Sequence, residues 1–166
     1  MDIQQRKYWK VLLVGDHCLD IYHYGVCNRL SPEAPIPILK QSKVETKYGM
    51  SSNVKQNLQS FGINVSHLHN TKPIEKHRIV DSRFNHHLLR FDVGEDIPLK
   101  PISIGWEIKN SPSDVLVISD YNKGFLNDEA IVKLCEIYKD KPIFVDSKKK
   151  DLSMFSGCYI KINEKE

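Results

Sequence analysis

The chain has 166 residues, of which 40% are hydrophobic and 27% charged, and its 24 Lys and Arg against 21 Asp and Glu give a net charge of +3. The length suits one domain with a buried core, and so small a basic excess does not indicate a dedicated nucleic-acid-binding protein. No apolar run approaches the roughly 20 residues that span a bilayer, and residues 1–10 lack the apolar centre of a signal peptide, so we expect a cytoplasmic protein with neither a membrane nor a nucleic acid as partner.

The first half of the chain opens with a short apolar segment, Lys10–Gly15. Continuous hydrophobicity over so few residues is typical of a strand that is buried on both faces of a parallel sheet. Residues from Gly25 to Pro37 are predicted to form a loop. The segment that follows, up to Thr46, is predicted to be an edge strand, because proline is tolerated there.

A helix is predicted over residues 51–61, with Ser51 or Ser52 as its N-cap and Gly62 as its stop signal. Alternation of apolar and polar residues predicts a strand at 63–68. Two more strands, 78–82 and 88–91, are predicted to pair as a hairpin.

The second half repeats a strand, helix, strand order. Strands are predicted at 114–120, 143–146 and 158–162, and a helix capped by Asn127 lies between the first two. Residues 97–112, which contain three prolines, are predicted to be a surface connection. Strands separated by crossover helices indicate an α/β fold with a mostly parallel sheet.

Three acidic residues stand at strand ends: Asp16, Asp120 and Asp146. Ligands of open α/β sheets bind beyond the carboxyl ends of the strands, where such carboxylates can hold sugar hydroxyls or, through water, Mg²⁺. The structural alternative is that each Asp only caps the turn after its strand.

Other polar patterns are less specific. Gly49-Met50-Ser51-Ser52-Asn53 precedes a helix N-terminus, which favours an anion or hydroxyl ligand but equally fits a plain capped helix. Lys148-Lys149-Lys150 is a charge run of the kind that is usually just solvated. The four cysteines form no C-x-x-C pair, which favours reduced thiols over a zinc site or a disulfide framework.

Several motifs in order resemble one family along nearly the whole chain. Val14–Gly25 is similar to V-G-D-x-x-L-D-x-Y-x-x-G, and Arg29–Pro37 to R-[IL]-S-P-E-A-P-x-P. The other matches are Lys76-His77-Arg78 with K-x-R, Leu88–Asp92 with L-L-R-x-D, Ser119–Gly124 with S-D-Y-x-K-G, Val145–Lys148 with V-D-P-K, and Asn163–Glu166 with N-x-x-E. These motifs resemble the ribokinase (PfkB) family of sugar kinases, in particular the D-glycero-β-D-manno-heptose-7-phosphate kinases of ADP-heptose synthesis.

The resemblance implies a ribokinase-like α/β fold within one partial domain, residues 1–166, with a small β lid formed by segments near 31–47 and 76–92. It implies a sugar site, a phosphate site for the sugar phosphate, and a rim for the transferred phosphoryl group and Mg²⁺. The implied sugar-phosphate residues are Asp16, Asp20, Glu33, Gly49, Asn53, Lys76, Arg90, Asp120 and Lys123. The residues implied for the phosphoryl and Mg²⁺ side are Asp146, Lys148, Asn163 and Glu166.

The sequence also departs from the family pattern. Met50 stands where the second glycine of the G-G-x-x-N signature belongs, and we expect its side chain to occupy space near the sugar. Between the segments that end at Leu68 and begin at Lys76, the family carries another strand, helix and strand. In this chain only His69–Glu75 lie there. The chain contains no G-A-G-D motif with its catalytic Asp.

These departures lead to the functional expectation. We expect a shortened sugar-phosphate kinase, with ATP and Mg²⁺ as the family's cofactors, that binds a sugar phosphate but does not turn over ATP alone. The alternatives are a non-catalytic sugar-phosphate-binding or dimerisation module and one half of a split kinase. A homodimer or a partner chain is expected, because a truncated sheet exposes an edge and apolar surface.

Overall fold

A computed structural model describes residues 9–161 and 163, with the backbone alone for Glu107. The elements in chain order are β1 (Lys10–Gly15), β2 (His17–Leu30), β3 (Pro37–Met50), α1 (Ser51–Ser60), β4 (Asn64–Leu68), β5 (Ile74–Asp81), β6 (His86–Val93), α2 (Trp106–Lys109), β7 (Val115–Asp120), α3 (Asp128–Ile137), β8 (Ile143–Ser147), a 3-10 turn (Ser153–Phe155) and β9 (Tyr159–Lys161).

The chain divides into two compact units. Of the described residues, the first unit takes 9–17, 50–72, 97–161 and 163, and the second takes 18–49 and 73–96. The lid segments predicted from the resemblance, 31–47 and 76–92, both lie in the second unit.

The first unit is built on a five-stranded sheet in the order β4-β1-β7-β8-β9. All four pairings in it are parallel. One face of its central strands carries Leu12, Ile118 and Val145, which form a core with the α3 residues Ile131 and Leu134. Helix α3 begins as predicted at Asn127, whose side chain accepts a hydrogen bond from the Ala130 N–H. The predicted α/β fold with a mostly parallel sheet is confirmed.

The second unit contains a four-stranded sheet in the order β3-β2-β5-β6. Strands β2 and β5 are parallel, and β5 and β6 form the predicted antiparallel hairpin. Strand β3 lies at the edge of this sheet, as its first residue, Pro37, indicates.

Three local predictions were wrong. Gly25 to Pro37 is not one loop, because β2 continues to Leu30 and only residues 31–36 leave the sheet. Neither Ser51 nor Ser52 caps α1: the N-cap is Met50, without a side-chain hydrogen bond. Residues 97–112 do more than cross the surface, since they include α2, whose Ile108 is buried in the core.

Candidate functional site

Two carboxylates are buried at the carboxyl end of the first unit's sheet. Asp16 follows β1 and Asp120 ends β7, and both side chains are fully buried. The Asp16 carboxylate accepts hydrogen bonds from the backbone N–H groups of Tyr121 (2.7 Å) and Lys123 (3.3 Å). The Asp120 carboxylate accepts hydrogen bonds from the Asn122 N–H (2.9 Å) and from the Ser147 hydroxyl (2.8 Å). The turn after β7 is thus wrapped around both acids.

Burial and the neighbouring charge act on Asp16 in the same direction. Burial raises the pKa of the Asp16 carboxyl, and the adjacent Asp120 raises it further. The backbone N–H groups of Lys123 and Tyr121 oppose both effects. The turn contacts reach Asp16 Oδ2 and both oxygens of Asp120, as expected for acids that cap the turn after a strand. Asp16 Oδ1, in contrast, is buried with no hydrogen-bond partner among the described residues.

The third strand-end acid, Asp146, faces the other side of the sheet. Asp146 lies opposite Ser119 in the parallel register, whereas Asp120 lies opposite Ser147. Successive residues of a strand point to opposite faces, so Asp146 cannot join the buried pair. The expected cluster of three carboxylates is therefore wrong.

Asp146 belongs to a different small group. Its carboxylate lies 3.7 Å from the Lys161 ammonium, which also donates a 2.9 Å hydrogen bond to the Asn163 side chain. The structure thus brings Asp146 and Asn163 to one lysine, and their assignment to the phosphoryl side stays a prediction. Glu166 lies outside the described residues.

Two lysines of the implied site, Lys123 and Lys148, lie near the buried acids. The Lys123 backbone bonds to Asp16, and the Lys148 backbone N–H donates to the Asp120 carbonyl oxygen (2.9 Å). The Lys148 ammonium lies 5.1 Å from the centre of the Tyr121 ring. Both lysines therefore contact this rim through their backbone, and Lys148 also through its side chain on Tyr121.

Helix α1 begins beside a group of histidines. The Ser52 hydroxyl lies 2.6 Å from His17 Nδ1, and the Ser51 hydroxyl lies 2.9 Å from His67 Nε2. Because both hydroxyls are engaged with imidazoles, neither caps the helix. Burial lowers the pKa of His17 to about 4 and that of His67 to about 3. Asn53, in the first turn, is exposed.

In the second unit, Asp20 is held from two sides. The Arg78 guanidinium donates a 2.7 Å hydrogen bond to Asp20 Oδ1, and both side chains are largely buried. On the other side, a Cβ added to Gly49 would lie 2.5 Å from Asp20 Oδ2 and would also strike the Cys18 sulfur. Only glycine fits at 49 because its backbone approaches the carboxylate so closely.

Charged residues extend from Asp20 across the same sheet. Lys76 lies between Asp20 and Asp92 in the strand register. The Arg90 guanidinium makes two hydrogen bonds, of 2.8 and 2.6 Å, to the two oxygens of Asp92. This pairing holds the pKa of Asp92 far below its ordinary value. The sheet therefore presents one half-buried carboxylate with several cationic side chains beside it.

Sequence reasoning overlooked Arg78 as a site residue. Lys76 and Arg78 are two positions apart on β5, so they share a face of the sheet, and the K-x-R spacing contained that information. Glu33, in contrast, lies in the exposed turn before β3, where its N–H donates to the Ser31 hydroxyl (3.2 Å). The functional assignments of all these residues remain predictions.

Neither a metal centre nor a membrane span is evident in the described part of the chain. Within residues 9–161 and 163, no three His, Cys, Asp or Glu side chains are grouped so that they could hold a metal ion. None of the helices described is long and apolar enough to cross a bilayer.

Comparisons with known proteins give relatives by sequence. No family model matches the chain. The bifunctional protein HldE of Pseudomonas entomophila is 32% identical over 177 aligned residues, which cover 89% of this chain and 37% of that protein. HldE of Pseudomonas putida is 33% identical with the same coverage. The chain thus spans little more than a third of the length of these relatives.

Solved structures resemble the fold. Phosphofructokinase-2 of Escherichia coli, in its tetrameric inhibited form, has a TM-score of 0.59 at 15% identity, over 95% of this chain and 62% of that one. Ribokinase of Thermotoga maritima has a TM-score of 0.52 at 15% identity, over 96% of this chain and 61% of that one. At these identities the likeness concerns the fold.

Proposed function

This chain belongs to the ribokinase (PfkB) family of carbohydrate kinases, in the group that includes HldE, and on that premise we propose that it binds the sugar-phosphate acceptor of a heptose-7-phosphate kinase reaction. The observation that supports this function best is the surrounding of Asp20, a half-buried carboxylate that Arg78 orients and that the Gly49 backbone approaches. In this proposal the chain contributes acceptor binding to ADP-heptose synthesis and does not turn over ATP alone.

The sugar is held through its hydroxyl groups. An ionised carboxylate accepts hydrogen bonds only, so Asp20 suits hydroxyl donors. The bond from Arg78 occupies Asp20 Oδ1 and leaves Oδ2 toward Gly49. Arg78 and the β3 backbone at Gly49 thus hold Asp20 in place from two sides, so little side-chain freedom is lost when the sugar binds.

The phosphate of the acceptor is bound by Lys76 and Arg90. A guanidinium binds phosphate oxygens with two parallel hydrogen bonds, the same geometry that Arg90 now makes with Asp92. The incoming phosphate therefore replaces Asp92 on Arg90. We expect this exchange to limit affinity, since one ion pair must open for another to form.

ATP and Mg²⁺ are the cofactors that the family implies. The described residues of this chain do not fit a metal site of their own, because no three potential ligands are grouped among them. We therefore assign no step to Mg²⁺ or ATP here. Asp146, Lys148 and Asn163 remain candidates for the phosphoryl side of the site.

A second candidate function is one half of a two-part kinase, or a dimerisation module. The observation that favours it is an exposed aromatic pair on the last two strands of the first unit's sheet. Phe144 and Tyr159 stack with ring centres 5.1 Å apart, and their exposed fractions are 46% and 65%. Exposed rings at the edge of a sheet favour coverage by another polypeptide.

Isothermal titration calorimetry tests the first function. Heptose 7-phosphate is titrated into the wild type, into Asp20→Asn, and into Asp140→Asn, a control at an exposed turn position. We expect binding to the wild type and the control and at least a tenfold loss in Asp20→Asn. Equal affinity in Asp20→Asn and the wild type would contradict the proposal. Heptose binding without any response to ATP would support acceptor binding by the chain alone.

A further inference from the structure

Two cysteines that are distant in the sequence meet in the first unit. Cys135 lies near the end of α3, and Cys158 directly precedes β9. Their sulfur atoms are 3.7 Å apart, although the residues are separated by 23 positions. Both thiols are free and partly buried, and both side chains pack against the hydrophobic core of the unit.

We propose that Cys135 and Cys158 form a reversible disulfide, which makes this pair a redox modification site. A disulfide has a sulfur–sulfur bond of about 2.05 Å, so the two sulfurs must approach by roughly 1.7 Å. Rotation about the Cα–Cβ bond moves each sulfur, and the approach can be shared between the two side chains. The backbone between α3 and β9 does not have to rearrange before the two sulfurs begin to approach each other.

The Cys158 side of the pair has room to move. Ser156 and Gly157, which precede it, are exposed. Gly157 has φ +78°, and no atom of the described residues other than Gly157 and its two chain neighbours lies within 4 Å of the position where its Cβ would stand. Cys135 is instead fixed in a helix whose neighbours Ile131 and Leu134 are fully buried. The loop can therefore bring Cys158 to Cys135 while the helix stays in place.

The reaction with a peroxide balances as follows. The Cys158 sulfur attacks one peroxide oxygen and becomes a sulfenic acid, with release of one water molecule. The Cys135 sulfur then displaces the hydroxyl from that sulfenic acid, which leaves as the second water molecule. Two thiols are oxidised by two electrons, and hydrogen peroxide is reduced to two waters.

The order of the two cysteines follows from their surroundings. Burial raises the pKa of the Cys135 thiol to about 12, and the adjacent Cys158 raises it too. A thiol that stays protonated is a poor first nucleophile. Cys158 also directly follows the exposed residues Ser156 and Gly157, where a peroxide can reach it, so we expect Cys158 to be oxidised first and Cys135 to act second as the resolving thiol.

The disulfide would fasten the edge of the sheet. Among the described residues, strand β9 comprises Tyr159–Lys161, all three exposed, and lies at the edge of the sheet beside β8. A covalent bond between α3 and the residue just before β9 would hold this strand in the sheet. The same bond would close a loop of intermediate length in the unfolded chain and so lower the entropy of the unfolded state. We expect the oxidised form to melt several degrees higher than the reduced form.

The test oxidises the full chain with hydrogen peroxide and counts free thiols. The wild type should fall from its four free cysteines to two, lose the mass of two hydrogen atoms, and give a peptide crosslinked between Cys135 and Cys158. Its melting temperature should rise, and dithiothreitol should reverse every change. Cys27→Ser, the control at a partly buried cysteine of the other unit, should still form the bond.

Other outcomes would overturn the proposal. These are four remaining thiols after oxidation, a crosslink that uses Cys18 or Cys27, or a stable sulfenic acid at Cys158 with Cys135 still reduced. In Cys135→Ser, peroxide should leave Cys158 as a sulfenic acid or a higher oxide, because the second thiol is missing. The thiol count and the melting temperature of the wild type do not depend on how well any variant folds.

Discussion

Met50 is predicted to have a strained backbone. If so, the Met50→Gly protein should have a higher free energy of unfolding than the Met50→Ala protein. Its backbone has φ +53° and ψ −133°, and its side chain is only 7% exposed. A residue with a Cβ pays about 1–2 kcal/mol in left-handed backbone conformations. Truncation of a buried Met to Ala costs about 2–5 kcal/mol, and this loss is common to both variants.

The difference between the variants isolates the strain. Met50→Gly removes the strain of about 1–2 kcal/mol but gives the unfolded chain extra freedom, which costs about 0.4–1 kcal/mol. We therefore expect Met50→Gly to be more stable than Met50→Ala by about 1 kcal/mol, measured by urea unfolding followed by circular dichroism.

A matched pair in the adjoining helix should show the opposite order. Gln56 is an exposed residue of α1. There Ala should be more stable than Gly by about 1 kcal/mol, since the backbone is helical. A Met50→Ala protein as stable as Met50→Gly, with the Gln56 pair behaving normally, would refute the backbone strain at 50.

Three further predictions concern the first unit. Gly15→Ala should destabilise by at least about 1–3 kcal/mol, since its Cβ would strike the Ser119 carbonyl oxygen, and the urea midpoint should fall. Asp16→Asn should stabilise the protein at pH 7. Because the pKa of Asp16 is raised, the stability that this carboxyl contributes is fully present below the ordinary pKa of 3.8 and is lost as the pH rises. The variant should therefore show a flatter curve of stability against pH, and an unchanged curve would contradict the prediction. Burial holds the pKa of His67 at about 3 against an ordinary value of 6.5, so stability is lost as pH falls below 6.5, by about 2 kcal/mol at pH 5. His67→Gln should flatten this fall in thermal melts, whereas the control His86→Gln, at an exposed position, should leave it unchanged.

The buried strands of the first unit could be predicted from local sequence. Lys10–Gly15 is an apolar run bounded by glycine, and the structure places β1 on the same residues. Asn127 caps α3 because its side-chain oxygen can accept a hydrogen bond from the backbone three residues later, and this property can also be inferred from the local sequence. Strand β2 was not predicted, and its last residues, 25–30, were assigned to a loop, because residues 26–30 have neither strict alternation nor a continuous apolar run.

Features that depend on pairing between distant segments could not be predicted. The face to which Asp146 points is set by the register of β7 and β8, and a shift by one residue would reverse it. The serines at 51 and 52 look like helix caps, but His17 and His67 bind their hydroxyls only after β1 and β4 have paired.

The central claim is that the chain binds a sugar phosphate around Asp20, and a crystal structure of the chain with heptose 7-phosphate tests it most directly. The account predicts sugar hydroxyls within hydrogen-bond distance of Asp20 and the phosphate on Lys76 and Arg90, with Asp92 released from Arg90. A sugar phosphate bound away from Asp20, with the Arg90–Asp92 pair intact, would contradict the account.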